Sequence, residues 1–382
     1  MNAVVVSAVQ SIMVYLSLSC VMVWLSSIKR DGKIQYTPIL IALLLYSIIM
    51  GVRYGVGIDH LTYKYIYEEC LLQGDIFSLP HLEPGFQFLV KQISSLGLHY
   101  SFFFTIIAFL QIFFVFYSIN ETPSIYPYLA YTFMFSCVWF SYANGMRQQL
   151  AFCIFSYSMV CLFHKKIFWH YLFILLAVSI HKSAIILVIF YPIFMLKKEW
   201  IKNIKLQYLL LAGSLVLMTM NIVFDVIGVV EKYLVAADFY SGYMDTTDKS
   251  KLEFLSRDTG FGVGFVLMLA INICIIYYSN EVKEQFKGTW VSLIYDLYFL
   301  GMLWNYVFIQ SLMFNRVAYY FYGFNFIIGA YTLYFLHQKK RKQFWGVAGL
   351  YALVFLGNLS HVGSGNITYI FFWQDYLYHL KP

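Results

Sequence analysis

The sequence predicts an all-α polytopic membrane protein. Hydrophobic residues make up 61% of the 382 residues and charged residues only 12%, whereas a soluble domain has about 25% charged residues. So few charges exclude a water-soluble enzyme, and 37 Phe with 34 Tyr exclude a disordered chain. The apolar runs are about 20 residues long, which suits spanning helices rather than barrel strands of about 10 residues.

About twelve apolar runs can form helices that cross or enter the bilayer. They lie at residues 4–28, 38–52, 101–119, 125–142, 148–163, 167–180, 183–196, 206–224, 261–279, 290–313, 317–336 and 344–358. We therefore expect a single integral membrane domain, residues 1–382, with two long extracytoplasmic loops at 53–100 and 225–260. Apolar spacing from Phe86 to Leu96 predicts an amphipathic helix at the membrane interface within the first loop.

The basic residues predict the orientation of the chain. With the N-terminus outside, short inner loops contain 15 of the 26 Lys and Arg residues, while 13 of the 19 acidic residues fall outside. The run from Val4 to Ile28 is too long for the core of a cleaved signal peptide, and no Lys or Arg precedes Lys29. We therefore expect a multi-pass protein whose first helix is retained.

The segment between Lys166 and Lys197 predicts a recessed turn. It contains 30 residues, with His181 and Lys182 in the middle. One continuous helix would span about 45 Å and place both side chains at the bilayer centre. Two helices of about 15 residues reach only about 22 Å each, less than the hydrocarbon core. His181 is therefore expected at the floor of a cavity that opens outward.

Four basic residues lie at or beside apolar helix ends on the predicted outer side: Arg53, Arg147, Lys182 and Arg316. Asn144 is the expected N-cap of a helix, so Arg147 falls in the first turn, where the helix dipole disfavours a cation. A phosphate suits this place, because backbone N–H groups and the guanidinium point at it together. Alternatively, these side chains extend to lipid headgroups.

Three nearby side chains are candidates for general acid–base chemistry. Asp59 follows a glycine-rich stretch, Glu83 precedes Pro84, and His181 lies in the recessed turn. The alternatives are a turn or cap role for Asp59 and a hydrogen-bonded core role for His181. The nine histidines and six cysteines show no metal-ligand spacing, and no phosphate-binding glycine motif occurs, so no metal, cofactor or nucleic-acid partner is predicted.

Five short motifs, in this order and spacing, resemble the Wzy-type repeat-unit polymerases, in particular the EpsG-like family. They are Arg53 to Asp59 with Tyr63 and Tyr67, Glu83 to Phe86, Asn144 to Ala151, Ala177 to Ala184, and Asn315-Arg316 with Tyr319 and Tyr320. The resemblance covers about residues 50–320. The residue before His181 is Ile180, where the family more often has a residue such as Phe.

The resemblance implies a GT-C-like glycosyltransferase in the bacterial inner membrane, with its active site facing outward. Its donor would be a glycan on undecaprenyl diphosphate, transferred to the terminal sugar of a lipid-linked repeat unit. The implied diphosphate-binding residues are Arg53, Arg147, Arg316, Gln148 and Lys182, and the implied catalytic residues are Asp59, His181 and Glu83. The implied partners are both lipid-linked substrates, membrane lipids and a chain-length regulator protein.

Two other classes of function remain open from the sequence. A flippase or exporter of lipid-linked oligosaccharide would suit twelve helices, but it predicts two similar halves, and the sequence shows no such symmetry. An O-antigen ligase or a membrane acyltransferase would act on related substrates. The acyltransferase would need a histidine on the inner side, where His164, His170 and His337 lie near lysine-rich loops.

Overall fold

The computed structural model describes residues 3–77, 82–189, 202–220, 262–309, 311–362 and 367–375. Fifteen α-helices lie within these ranges. They are α1 Ala3–Ser26, α2 Tyr36–Gly51, α3 His60–Gln73, α4 Pro84–Ser94, α5 Tyr100–Tyr117, α6 Tyr126–Phe135, α7 Val138–Asn144, α8 Met146–Phe163, α9 Ile167–Ile180, α10 Ile204–Met218, α11 Val263–Gln285, α12 Val291–Val307, α13 Leu312–Tyr322, α14 Asn325–Lys339 and α15 Arg341–Leu359. Two 3₁₀ helices cover Pro123–Ile125 and Lys182–Ile189.

Four short strands form two antiparallel pairs. Strand β1, Lys29–Arg30, pairs with β2, Lys33–Ile34, in a hairpin between α1 and α2. Strand β3, Arg53–Tyr54, pairs with β4, Ile370–Phe371, so that Arg53 lies opposite Phe371. The second pair brings a segment near the end of the chain against the first predicted motif.

The chain divides into two compact units, and the boundary near Gly329 lies within α14. The first unit contains residues 1–196 and 329–382, and the second contains residues 197–328. In the first unit, α8 packs on α5, α7 and α9, while α1 packs on α2 and α6. Most side chains of α8 are buried, so this helix forms the core of the first unit.

Glycine permits one of the closest helix contacts in the first unit. A Cβ atom on Gly51 would lie 1.8 Å from Thr105 Oγ1 and 2.8 Å from the Ser101 carbonyl oxygen. The end of α2 therefore lies directly against the first turns of α5. This contact sets the position from which the chain enters the Arg53 motif.

In the second unit, α12 packs on α10, α11 and α13. Buried Asn272 donates from Nδ2 to the hydroxyls of Tyr306 at 2.8 Å and Tyr322 at 2.9 Å, and its Oδ1 accepts from Tyr298 at 2.9 Å. This network satisfies the polar amide within an apolar core and joins three helices.

The predicted all-helical membrane architecture agrees with the structure in outline. Three described helices are long and apolar enough to cross a membrane: Ser7–Ser26, Tyr100–Tyr117 and Val263–Gln285. Shorter apolar helices cover Tyr36–Gly51, Ile167–Ile180 and Ile204–Met218. The count of twelve spanning helices stays a prediction.

Three predicted runs are divided or shortened in the structure, and the described part of a fourth, 183–196, belongs to the 3₁₀ helix Lys182–Ile189. The run 125–142 is two helices, because Cys137 has φ +60° and interrupts the helical backbone between α6 and α7. The run 290–313 ends its helix at Val307, and the run 317–336 is interrupted between Tyr322 and Asn325. Hydropathy did not separate these helices, because apolar residues continue across each interruption.

The predicted loop 53–100 contains two helices, α3 and α4, that pack on each other. The predicted amphipathic helix is α4, where Phe86 and Ile93 are buried within the protein while Phe88 is 61% exposed. Helix α4 also packs on α9, so its buried side faces protein. The second predicted loop, 225–260, lies outside the described residues.

Candidate functional site

Glu83 is the centre of a cluster built from three separate segments. It is the N-cap of α4, Arg147 lies in the first turn of α8, and His181 follows the last residue of α9. Arg147 Nη1 donates to Glu83 Oε2 at 2.6 Å, and His181 Nδ1 lies 3.1 Å from Glu83 Oε1. The structure therefore brings together three of the residues that the motifs had placed up to 98 positions apart.

The Glu83-Pro84-Gly85 sequence explains how α4 reaches this position. Proline suits the first position of a helix, where no intrahelical N–H bond is lost. A Cβ atom on Gly85 would lie 2.3 Å from Ser179 Oγ and 2.8 Å from the Ser179 carbonyl oxygen. Only a glycine allows this close approach of α4 to the end of α9. The contact places Glu83 within hydrogen-bond distance of His181.

The backbone at His181 confirms the predicted break between two helical segments. Helix α9 ends at Ile180, and His181 has an extended conformation with φ −152° and ψ 113°. A 3₁₀ helix then starts at Lys182, whose backbone N–H donates to Glu83 Oε1 at 3.1 Å. The depth of His181 in the membrane stays a prediction.

The carboxyl group of Glu83 is buried but stays ionised. Burial alone would raise its pKa, yet the hydrogen bond with His181, the charge of Arg147 and the Lys182 N–H together lower the pKa from 4.5 to about 2. An ionised carboxylate accepts hydrogen bonds and cannot donate them. The shared hydrogen therefore lies on His181 Nδ1.

Aromatic side chains hold the guanidinium of Arg147 next to Glu83. Arg147 Nε donates to the Tyr63 hydroxyl at 3.3 Å. The guanidinium carbon lies 5.9 Å from the centre of the Tyr63 ring and 5.7 Å from that of Phe86. These distances are within the range of cation–π attraction. The Arg147 side chain is 17% exposed, so it is enclosed but can still be reached.

The corner before Arg147 differs from the sequence prediction in one detail. Asn144 was expected as the N-cap of the helix, but Asn144 is the last residue of α7 and Gly145 is the N-cap of α8. Gln111 supports this corner, since its Nε2 donates to the carbonyl oxygens of Tyr142 at 3.3 Å and Met146 at 3.1 Å. Arg147 still falls in the first helical turn, as predicted.

Asn144 also connects the corner to the glycine-rich stretch. The Asp59 N–H donates to Asn144 Oδ1 at 3.1 Å. Gly57 has φ +90°, and a Cβ atom there would lie 3.1 Å from Asn144 Cα, so glycine is required on both counts. Asp59 is the N-cap residue of α3, but its side chain makes no cap hydrogen bond. Its backbone is therefore tied to a residue three positions before Arg147.

Arg53 lies at this corner but is buried, with a relative exposure of 1%. Its Nη1 donates to the Met50 carbonyl, and its Nη2 donates to the Ala143 carbonyl at 2.9 Å. The guanidinium carbon lies 5.0 Å from the centre of the Phe104 ring. In this structure Arg53 therefore binds backbone carbonyls at the ends of α2 and α7.

The remaining predicted residues have different positions. Gln148 is buried on α8, next to Arg147, and the Lys182 side chain is exposed. Arg316 lies on α13 in the second unit, after buried Asn315. Within the described residues, no three His, Cys, Asp or Glu side chains form a group that could hold a metal ion.

Sequence reasoning missed the roles of Tyr63 and Ser179. Tyr63 was named only as part of the first motif, whereas the structure shows its hydroxyl accepting from Arg147. The signal for Ser179 was available in Gly85, because a glycine in the first turn of a helix often permits close packing.

Comparison with known proteins supports the resemblance seen in the motifs. The model of the EpsG family matches residues 36–373. Comparison with curated proteins gives no match, and comparison with solved structures gives none. The family match extends from the start of α2 through the Glu83 cluster to Trp373 and so covers nearly the whole chain. The chain therefore belongs to the EpsG family of membrane proteins, whose type of activity is exopolysaccharide polymerisation.

Proposed function

We propose that this protein is a polysaccharide polymerase that acts on the outer face of the bacterial inner membrane. It transfers a growing glycan from undecaprenyl diphosphate to the terminal sugar of a lipid-linked repeat unit, as a GT-C-like enzyme. The observation that carries this proposal is the Glu83 cluster, which holds an oriented imidazole and a guanidinium on the same carboxylate.

His181 is the proposed general base. Its Nδ1–H donates to ionised Glu83, so Nε2 is the nitrogen that accepts a proton. The acceptor hydroxyl oxygen forms a bond to the anomeric carbon of the donor, and its proton passes to His181 Nε2. Glu83 acts as a positioning residue that fixes the tautomer and stabilises the imidazolium that forms.

Arg147 is proposed to bind the leaving diphosphate. The bond between the anomeric carbon and the diphosphate oxygen breaks, and the undecaprenyl diphosphate takes the electron pair. Negative charge on the diphosphate grows as this bond breaks, so a fixed guanidinium stabilises the transition state more than the bound donor. The first turn of α8 adds backbone N–H groups that also favour an anion. Gln148 and Lys182 stay proposed as further diphosphate ligands, and the role of Arg316 stays a prediction from the sequence.

Asp59, which sequence reasoning set against Glu83 as the base, is the second candidate here, since its backbone is bonded to Asn144 near Arg147. Glu83 is less suited to that role, because its carboxylate oxygens already accept from Arg147, His181 and Lys182. The Asp59→Asn and His181→Gln variants separate the two assignments. The variant that replaces the base should fold and bind the donor but should no longer extend the chain.

The direct test is turnover of a purified lipid-linked repeat unit by the protein in nanodiscs. Longer chains support the polymerase proposal. Transfer to lipid A would show a ligase instead, and relocation across the bilayer without chemistry would show a flippase. His181→Gln should lower chain growth by about 1000-fold, a typical contribution of general base catalysis.

The matched control is His164→Gln. His164 also pairs with a glutamate, with Nε2 at 2.6 Å from Glu121 Oε1, but it follows the last residue of α8 rather than facing its first turn. Helix α8 is about 27 Å long, so this pair lies far from the Glu83 cluster. We expect His164→Gln to polymerise normally. Normal chain growth by a folded His181→Gln protein would contradict the assignment of the base.

A further inference from the structure

The turn between α5 and α6 joins three other loops at one end of the first unit. Glu121 in this turn lies with its Oε1 2.6 Å from Nε2 of His164, which follows α8. Tyr128, in the first turn of α6, is hydrogen-bonded to His337 near the end of α14. Strand β2 of the hairpin between α1 and α2 packs beside the 3₁₀ helix Pro123–Ile125. The loops α1–α2, α8–α9 and α14–α15 therefore surround the same turn.

These loops give this end of the unit a strong positive charge. The carboxylates in them are Asp31 and Glu121, and Glu121 already pairs with His164. Lys340 is half-buried over the Phe335 ring, and the other basic residues are exposed, with no ion pair to a carboxylate among the described residues. We define the basic face as Lys29, Arg30, Lys33, Lys165, Lys166, Lys339, Lys340, Arg341 and Lys342.

The β1–β2 hairpin holds three of these cations on a tight turn. Asp31 has φ +53° and Gly32 has φ +75°, as a two-residue hairpin turn with two left-handed residues requires. The pairing places Lys29, Arg30 and Lys33 at the exposed tip of the hairpin. Attraction to an anionic surface depends on charge rather than on a planar fork, so lysine and arginine are equivalent here.

Lys165 indicates that charge at this face is kept against the preference of the backbone. Helix α8 ends in a Schellman motif, in which Lys165 N–H donates to the Leu162 carbonyl and Lys166 N–H to the Cys161 carbonyl, both at 2.9 Å. Lys165 occupies the left-handed position of this motif with φ +58°, where glycine is the favoured residue. The helix dipole favours a cation throughout the last turn and does not require one at this position. A lysine here is best explained by a partner outside the fold.

Exposed aromatic side chains lie at the same helix ends as the basic face. They are Trp24 at the end of α1, Tyr36 at the start of α2, Trp169 at the start of α9 and Trp345 in the second turn of α15. All four are between 50% and 65% exposed. Trp and Tyr concentrate where a membrane meets water, with their rings at the level of the lipid headgroups. These rings therefore favour lipid headgroups over an acidic protein as the partner of the basic face.

The basic face and the Glu83 cluster lie at opposite ends of α8. Arg147 is in the first turn of this helix, while Lys165 follows its end. The helix is about 27 Å long, close to the thickness of a hydrocarbon core of about 30 Å. The two sites are therefore spaced for opposite leaflets of one bilayer.

We propose that the basic face binds the headgroups of anionic phospholipids, in the leaflet opposite to the Glu83 cluster. Their phosphates attract the lysines and arginines, while their acyl chains contact the apolar helix surfaces beyond the aromatic side chains. A zwitterionic phospholipid has no net charge and binds more weakly. The inference does not depend on the polymerase proposal, because it concerns a different surface and a different ligand.

The test measures lipid binding by the full-length protein. Delipidated protein in detergent is titrated with phosphatidylglycerol or phosphatidylcholine, and bound lipid is counted by native mass spectrometry. We expect phosphatidylglycerol to bind about tenfold more tightly, and Lys165→Gly/Lys166→Gln to lose most of this preference, because each cation near an anionic surface contributes up to about fivefold. Glycine relieves the left-handed position, so this variant should melt no lower than wild type.

The matched control is Lys64→Gln/Lys91→Gln, which removes the same charge from α3 and α4 and should keep the preference for phosphatidylglycerol. Equal binding of the two lipids by wild type would overturn the proposal. So would an unchanged preference in a folded Lys165→Gly/Lys166→Gln protein. Binding of polyglutamate without a preference for phosphatidylglycerol would assign the face to an acidic protein segment and also overturn it.

Discussion

Arg53 and Arg147 lie at the same corner of the first unit, yet their guanidinium groups have different partners. Arg53 is 1% exposed and donates to the carbonyls of Met50 and Ala143. Arg147 is 17% exposed and forms an ion pair with Glu83. Sequence reasoning gave both arginines the same role, because both lie at or beside apolar helix ends on the predicted outer side.

The different partners indicate that Arg53 has a structural role and support Arg147 as the proposed substrate ligand. Met50 and Ala143 lie one residue before the ends of α2 and α7, where helix carbonyls need donors and the helix dipole favours a cation. Arg53 therefore joins two helix ends and positions the corner that carries Arg147. Arg147 instead pairs with an anion, the Glu83 carboxylate, and in the proposed mechanism the same guanidinium binds the anionic diphosphate.

The largest expected effect is that of Arg147→Lys. Lysine keeps the charge but loses the planar fork and the contact with Tyr63, so chain growth should fall by about 1000-fold, or about 4 kcal/mol of transition-state stabilisation. Polymer formed per folded enzyme is the measurement, with the melting temperature as the check on folding. The exposed Arg30→Lys is the matched control and should be normal. Full-length polymer from Arg147→Lys would remove Arg147 from the mechanism.

The next effect is on stability and concerns Arg53. Arg53→Met removes the donors to two helix-end carbonyls, so the free energy of unfolding should fall by about 3 kcal/mol. Activity per folded molecule should fall far less than in Arg147→Lys. Denaturant unfolding in detergent, compared with polymer yield, distinguishes the two arginines. If Arg53→Met has wild-type stability but no activity, Arg53 binds substrate as the sequence had suggested, and the comparison fails.

A third test uses the ion pair on the Arg147 side of the comparison. The pKa of Glu83 is lowered from 4.5 to about 2 in the folded protein. Because the pKa of Glu83 is lower in the folded than in the unfolded protein, its ionised carboxylate stabilises the fold at pH values above the unfolded pKa of 4.5. This contribution is lost as the pH falls towards 2. Between pH 7 and pH 3 the loss should be about 2 kcal/mol. The difference in unfolding free energy between wild type and Glu83→Gln should shrink by this amount, and a constant difference would show that the pair is not formed.

Sequence reasoning placed Glu83, Arg147 and His181 on the same predicted outer side, and the structure brings the three side chains into contact. Each lies in a short motif whose neighbouring residues predict the local backbone, as Pro84 predicts the start of a helix directly after Glu83. The sequence was not sufficient for Arg53, since the residues that bury it, Phe104 and Ala143, lie 51 and 90 positions away. The break at Cys137 was also hidden, because hydropathy measures composition and not the backbone angle that ends α6.

The smallest expected effect is that of His60→Phe. Like the two arginines, His60 and His181 differ in their partners. His181 donates to a carboxylate, whereas His60 is fully buried, and neither of its ring nitrogens has a hydrogen-bond partner among the described residues. Its ring stacks on Phe104 with centres 4.7 Å apart and planes 16° apart. Burial and the charges of Arg53 and Lys64 lower the pKa of His60 to about 2, so the imidazole is neutral at ordinary pH.

His60 therefore serves as an aromatic ring that carries two desolvated nitrogens. Phenylalanine keeps the stacking and removes the desolvation, so His60→Phe should leave the free energy of unfolding unchanged or raise it by up to about 1 kcal/mol, with normal polymer. His60→Ala removes the ring and should destabilise the protein. Thermal unfolding and polymer length measure both variants. A folded His60→Phe protein that makes no polymer would show that the imidazole nitrogens act in the reaction, because the ring alone would then be insufficient.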